Sequence, residues 1–469
     1  MLNKLTFGVL TFMLAGSSLA ADNQTSTVST IGSQDSLPFT ISIDTASFNL
    51  PTGIHSGVVA RWDGKWLFLA GRTNGMHGFA SDPFPPSMQN TTAILVDYDS
   101  QMVYTRDLDD PSSGLTQDQI DTLSVTSPQY FQRGKTLYIT GGYGVETSSG
   151  EFGTKPVLTA VDVPNFIDWV MEVPNADPAA ASVRQTTNSW VQVTGGYMTA
   201  LDNHLQGLLI FGQNFTGVYT PSSNGDYTQQ VRRFQIIDNG VDLYVQQRDS
   251  EAPNASYRRR DLNIVPIMKQ KQQAYVALSG VFTLTTGIWT VPVEIERDGS
   301  TFMADPNDMD TFKQGMNNYA SANATLYSPS EDANYTILLG GITFGYFDGN
   351  MFETDSGFPF TNQITTVKRN GNGEYAQFFM DEQYPVILST GSNPGNELLF
   401  GAGAFFVKAE DMPLYPNGVI NLDKITEPTV IGYIVGGIMS TVPNTSSQSD
   451  STASPYIFPV TVVPNGGPI

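Results

Sequence analysis

Apolar residues in this chain gather into short runs that close on small residues. Six such runs recur, at 66–71, 137–142, 208–212, 274–280, 335–341 and 431–437, ending in Ala70-Gly71, Gly141-Gly142, Gly212, Ser279-Gly280, Gly340-Gly341 and Gly436-Gly437. Their β-branched and aromatic content, with alternation of apolar and polar positions, predicts strands. Recurrence at roughly 60–95 residues predicts an array of similar sheets, not one continuous core.

Each run is the second of four short predicted strands. The first repeat reads 56–61, 66–71, 93–98 and 102–105, with Asp63-Gly64 as a hairpin signal between the first two. The second reads 129–132, 137–142, 157–163 and 166–171; the third 196–201, 208–212, 232–237 and 241–245. The fourth reads 264–268, 274–280, 288–295 and 301–303; the fifth 324–327, 335–341, 363–367 and 375–379. The sixth has only 404–407, 431–437 and 456–463, while an unpaired strand, 39–44, precedes the first repeat. Borrowing that strand would complete the sixth sheet and remove exposed edges. The expectation is an all-β, six-bladed β-propeller of four-stranded antiparallel blades over residues 38–463, closed by its N-terminal strand and followed by a tail, 464–469. Seven blades or another β architecture are the alternatives.

Composition adds the compartment. Lys4, the apolar stretch 5–15 and Ser18-Leu19-Ala20 read as a secretory signal over residues 1–20, leaving 21–37 as a flexible mature N-terminus. No later stretch approaches ~18 apolar residues, so no membrane span is expected. The chain has no Cys, and with export this points to a bacterial periplasmic or extracellular protein without disulfides. A net charge of −22 argues against nucleic acid, which needs a basic footprint. The Asn-x-Ser/Thr sites at Asn23, Asn90, Asn214, Asn254, Asn323, Asn334 and Asn444 would mark surface loops if the host glycosylates.

The small pairs closing the second strands, together with His55 before the first, resemble Kelch-type β-propellers. Tyr98 and Trp169 fall near the family's later aromatic positions, which are otherwise poorly kept. The resemblance covers residues 38–463 and implies the fold; it says little of activity, because such folds host enzymes, adhesins and scaffolds. The copper-radical oxidases of similar fold require a Cys cross-linked to a Tyr, and there is no Cys here. The glycines are read as mechanical, for close strand approach near an axis, not as a phosphate loop.

Function is expected where loops are long. One face carries 72–92, 143–155, 214–230, 342–362 and 438–454; the other has mostly tight turns, with 408–430 as an exception. The long loops hold aromatic residues beside amides, among them His77, Phe79, Phe84, Phe215, Tyr219, Tyr227, Phe344, Tyr346, Phe347, Phe352, Phe358 and Phe360, a composition that suits sugar rings. Arginines are scarce, and one on this face could fork onto a carboxylate. The candidate ligand-binding residues are Arg72, His77, Tyr143, Arg184, Phe215, Arg258 and Tyr346, for a carbohydrate or protein ligand. His55, His77 and His204 have no metal-ligand spacing, and the clusters Asp305–Asp310 and Asp107, Asp109, Asp110 read as solvated turns, so no metal or cofactor is expected. No catalytic set is assembled, which favours a binding protein. The alternative is an isomerase resembling the periplasmic Kelch sialic-acid mutarotases, which implies an arginine for the sugar carboxylate (Arg72, Arg184 or Arg258) and an acid/base such as Glu146.

Overall fold

The computed structural model describes residues 28–78, 82–201, 205–220, 225–284, 287–445, 447 and 449–465. The predicted signal peptide, Phe79 and His204 lie outside the described residues. The fold is all-β, built of four-stranded antiparallel sheets in the manner of a propeller. The first sheet runs Val58–Trp62, Lys65–Leu69, Thr92–Asp97, Met102–Asp107, in chain order. Its first hairpin turns on Asp63 and Gly64, with φ of 49° and 72°. Two positive φ values are what a tight two-residue turn needs to follow the twist of its strands.

The same order recurs. The second sheet runs from Gln129–Arg133 to Val183–Thr187, the third from Tyr197–Ala200 to Leu243–Arg248 and the fourth from Asn263–Lys269 to Thr301–Met303. The fifth runs from Ala322–Ser328 to Tyr375–Gln383. The last sheet combines Phe405–Lys408, Thr429–Val435 and Ile457–Pro464 with the N-terminal strand Phe39–Ile43, antiparallel to Ile457–Pro464 with Phe39 opposite Pro464. Phe39 is fully buried against Tyr335 of the fifth sheet, ring centroids 5.6 Å apart. Burying such a side chain stabilises by roughly 1.5–3 kcal/mol.

Apolar clusters join neighbouring sheets face to face. Leu67 meets Leu137 in one, Tyr138 meets Leu209 in the next, and Leu208 meets Tyr275 in a third. Val265 and Leu338 join the fourth sheet to the fifth, and Phe68 packs edge-on against Phe405, joining the first to the last. The closing glycines are mechanical: a Cβ on Gly141 would lie 1.7 Å from the Val193 carbonyl oxygen, and one on Gly436 2.2 Å from that of Ile54. Both have positive φ, 64° and 67°. Only glycine allows that approach of backbone to backbone.

Several expectations need correction. Residues 166–171, predicted as a strand, form the end of the helix Val163–Val170 and its C-cap Met171. Asp162 caps it by accepting from the Asn165 amide, Pro164 sits in its first turn, and Val163, Phe166, Ile167 and Val170 are spaced to face the core. The fourth strand of that sheet is Val183–Thr187 instead. The N-terminal segment is ordered earlier than expected: Ile31–Ser33 adds in parallel to Tyr375–Gln383. Asn90 and Asn334 are buried, and their amides bond the backbone of Ala70 and Met268, so they are not surface acceptors for glycans.

The insertion in 408–430 packs on the tight-turn side. Its strand Ile420–Asn421 pairs in parallel with Ala322–Ser328, and Asn417 Nδ2 donates to the Ile267 carbonyl at 3.1 Å. Glu410 forms an ion pair with Arg61. The insertion therefore lies across inner strands of the first, fourth and fifth sheets, at their turn ends. The long loops on the other side fold into small hairpins, Tyr143–Glu146 with Glu151–Thr154 and Gly345–Asp348 with Met351–Thr354 among them.

Candidate functional site

Just before the first strand of each sheet the chain makes a sharp bend. The bend residues are Ser56, Ser127, Gly195, Asp261, Ala320 and Gly403, and all line one cavity of ≈ 270 Å³. Their backbones are linked from sheet to sheet: Ser127 N donates to Ser56 O at 2.8 Å, Gly195 N to Ser127 O at 3.1 Å and Asp261 N to Gly195 O at 2.9 Å. Gly403 N donates to Ala320 O at 2.7 Å and Ser56 N to Gly403 O at 2.9 Å. Ser56, Ser127, Asp261 and Ala320 hold φ near +50° (54°, 50°, 49° and 51°). Each costs on the order of 1 kcal/mol and persists because its surroundings over-determine it.

The cavity walls come from the residues that follow the glycine closures. Arg72, Tyr143, Gln213, Val281, Ile342 and Ile438 occupy equivalent places, one per sheet, and all line the cavity. Five bridge the residue before a bend, His55 with Arg72, Thr126 with Tyr143, Thr194 with Gln213, Arg260 with Val281 and Tyr319 with Ile342, and the sixth, Ile438, pairs with Ala402 in a short ladder. The sequence repeat thus delivers one side chain per sheet to a common centre.

Arg72 is 3% exposed. Its Nε donates to Asn74 Oδ1 and its Nη2 to the Pro85 carbonyl, each at 2.9 Å, and its guanidinium lies 5.2 Å from the Phe84 ring centroid. Among the described residues no carboxylate forms an ion pair with it. Burial pushes its pKa down to about 10, with Asp82 and Tyr143 opposing that from a distance. His77 packs on Phe84 and Tyr219 at centroid distances of 5.0 and 4.9 Å. Tyr143 donates its hydroxyl to Gly217 O at 2.9 Å, and burial raises its pKa to about 12. Phe215 meets Tyr143 edge-on at 5.6 Å. Four of the sequence candidates, Arg72, His77, Tyr143 and Phe215, therefore share one wall.

The other three stand elsewhere. Arg184 is in the strand Val183–Thr187, where its Nη2 pairs with Asp238 at 2.8 Å. Tyr138 donates to the same carboxylate, so this group braces the second and third sheets. The sequence pattern puts Arg184 in a loop only because it gives the fourth strand to the helical segment before it. Arg258 stacks on Tyr227 at 3.9 Å, outside the lining. Its neighbour Arg260 lines the cavity in its place, donating to Tyr227 Oη at 3.0 Å and pairing with Asp261. Arg260 occupies the place of His55, Thr126 and Thr194, directly before the bend, as its bridge to Val281 shows. Tyr346 belongs to the hairpin Gly345–Asp348, away from the cavity, whereas Phe358 and Phe360 of the same loop line it. Glu146 is exposed on its own hairpin and accepts from Ser148 Oγ.

Sequence reasoning also passes over His55, Asp261, Phe282 and Tyr319 as lining residues. His55 is buried with Nδ1 3.0 Å from Ser56 Oγ. Burial, and then the Arg72 charge, pull its pKa down to about 3; burial holds His77 at about 4. Both imidazoles are neutral at physiological pH. Burial opposes the charge of Arg260, but Asp261, Tyr227 and Tyr219 outweigh it and keep its pKa above the ordinary arginine value. Burial drives the Tyr319 phenol well above its ordinary range. Among the described residues no three His, Asp or Glu side chains cluster as a metal site. The acidic loops are turns: Asp305 Oδ1 accepts from the Asn307 amide and Asp110 Oδ1 from the Ser112 amide.

No protein-family model matches the chain, and no curated protein does. Among solved structures, one titled "Structure of YjhT" aligns with a TM-score of 0.46 and 10% identity, covering 89% of this chain and 99% of that one. No helix among the described residues is long and apolar enough to cross a membrane.

Proposed function

We propose that this protein is an exported, Kelch-like, six-bladed propeller that binds a ligand in the cavity on its long-loop side, without turning it over. The observation that carries the reading is the cavity itself: equivalent positions of the repeats converge there, and a buried guanidinium faces it without an ion-pair partner among the described residues. Closure of the ring is supported by Phe39–Ile43 completing the last sheet and by Gly437 N donating to Ile54 O at 2.8 Å. Export rests on the N-terminal sequence alone. A sugar or a protruding segment of a protein is the ligand class that the aromatic rim admits.

The isomerase reading is weaker. Of Arg72, Arg184, Arg258 and Glu146, only Arg72 lines the cavity. The test is a thermal-shift screen of the chain from residue 21 against neutral sugars, sialic acids, acidic peptides and Ca²⁺. A ligand at ~100 times its dissociation constant stabilises by about 2.7 kcal/mol. A selective shift that is lost on Phe215→Ala supports cavity binding. A robust turnover on a defined sugar, lost in cavity variants, would overturn the non-enzymatic reading.

A further inference from the structure

The cavity has two chemically different halves, and they are divided by sheet. The residues after the glycine closures are polar on the first three sheets, Arg72, Tyr143 and Gln213, and apolar on the last three, Val281, Ile342 and Ile438. The residues before the bends divide one sheet later: His55, Thr126, Thr194 and Arg260 are polar, and Tyr319 and Ala402 follow on the last two sheets. The apolar half is one continuous cluster in which Val281, Ile342, Phe360, Ala402 and Ile438 touch. A sugar carries hydroxyls around its whole circumference. Pressed against this wall, several of them would lose water and gain no partner.

The charges in the cavity do not cancel. Arg260 is matched by Asp261, and both histidines are neutral. Arg72 has no ion pair among the described residues; its Nε and Nη2 are occupied by Asn74 and Pro85, and Nη1 finds no acceptor there. Among the described residues one buried cation is thus left without a direct ion pair, with Asp82 acting on it only from a distance.

We infer that the ligand of this cavity is an amphipathic carboxylate: one carboxyl group set against Arg72 and an apolar aliphatic or aromatic body set against the Ile342–Ile438 wall. This rests on the cavity-binding reading above and narrows its ligand. A single anionic group matches the single unmatched guanidinium, whereas a neutral ligand leaves that charge desolvated and unpaired. The body needs no hydrogen-bonding groups on the side away from the carboxyl.

The experiment is isothermal titration of the chain from residue 21 with 3-phenylpropanoate, its neutral amide 3-phenylpropanamide, and glucose. The acid is expected to bind at least tenfold more tightly than the amide, and glucose not at all. Arg72→Gln is expected to abolish the acid-over-amide preference, and Ile438→Thr to weaken acid and amide alike. Should Arg72→Gln fail to fold, the acid-to-amide ratio of the unaltered protein and of Arg72→Lys decides. Equal binding of acid and amide, or tighter binding of glucose, overturns the inference and leaves the cavity reading standing. No binding by any of the three overturns the inference; a selective sugar or peptide shift in the thermal screen would then keep the cavity reading, and its absence there would end both.

Discussion

Among the described residues, two arginines are buried without an ion-paired carboxylate, and their surroundings differ in one respect. Arg259, between the third and fourth sheets, is 0% exposed. Its guanidinium donates to the carbonyls of Ser256, Ser279 and Val291 at 3.1, 3.1 and 2.9 Å and lies 4.9 Å from the Trp289 ring centroid. Arg72 has two such bonds and faces a cavity. Three carbonyls on Nε and Nη1, with the Met303 thioether at Nη2, make the first cation a staple between backbone segments. Around the second, fewer acceptors stand among the described residues, which is what the proposed receptor role requires. Burial alone does not tell structural from functional charge; the count of satisfied donors does.

The comparison breaks most visibly at Arg259. Arg259→Met keeps length and removes the donors, leaving the carbonyls of Ser279 and Val291 buried and unpaired. The expected loss is about 3–5 kcal/mol in urea denaturation, on the scale of removing one partner of a buried charged network. A loss under ~1 kcal/mol would mean that water replaces the guanidinium and that Arg259 is not a staple.

How far the sequence could lead shows in the same arginines. The strand runs and the glycine closures are legible because they repeat: the short apolar run at 66–71, closed by small residues, and its five counterparts specify sheets. The helix Val163–Val170 reads as a strand because its apolar residues form a short dense run that strand and helix share, and the Asp162 cap with Pro164 is the deciding signal. The site is half legible. Arg72 and Tyr143 follow the glycines directly, so the repeat fixes their place. Arg259 and Arg260 are adjacent, yet one is a staple and the other lines the cavity; only the bridge of Arg260 to Val281 separates them. The pairing of Arg184 with Asp238, 54 residues apart, is a contact between sheets that no local pattern encodes.

Acid sharpens the comparison, because titratable rings stand at one arginine and not at the other. His55 and His77, beside Arg72, have pKa values of about 3 and about 4 in the folded chain, well below the ordinary 6.5. Below pH 6.5 the unfolded chain therefore binds protons that the folded one refuses. The stability held by these neutral rings is complete above pH 6.5, falls as pH drops, and is gone once pH passes through the folded values. Each refused proton costs about 1.4 kcal/mol for every pH step of one, so the loss reaches a few kcal/mol near pH 4. The His55→Asn, His77→Asn double variant should flatten the urea-midpoint profile between pH 6.5 and 4. An unchanged slope would assign the acid sensitivity to carboxylates instead.

The smallest expected effect on stability, and the most telling, belongs to Arg72. Arg72→Gln removes a cation held, among the described residues, by two hydrogen bonds, the Phe84 ring and distant Asp82 but no direct ion pair, so the lost contacts and the relieved desolvation nearly cancel. The expected change is within ~1 kcal/mol of zero, measured under the conditions used for Arg259→Met. A structural arginine buried to the same degree would cost several times more on removal. If Arg72→Gln unfolds the protein as readily as Arg259→Met does, the two guanidiniums are alike, and the cavity wall is a strut rather than a receptor. If it leaves the urea midpoint in place, Arg72 is held in a buried site for something other than the fold, and Nη1, without an acceptor among the described residues, is where the proposed carboxylate belongs.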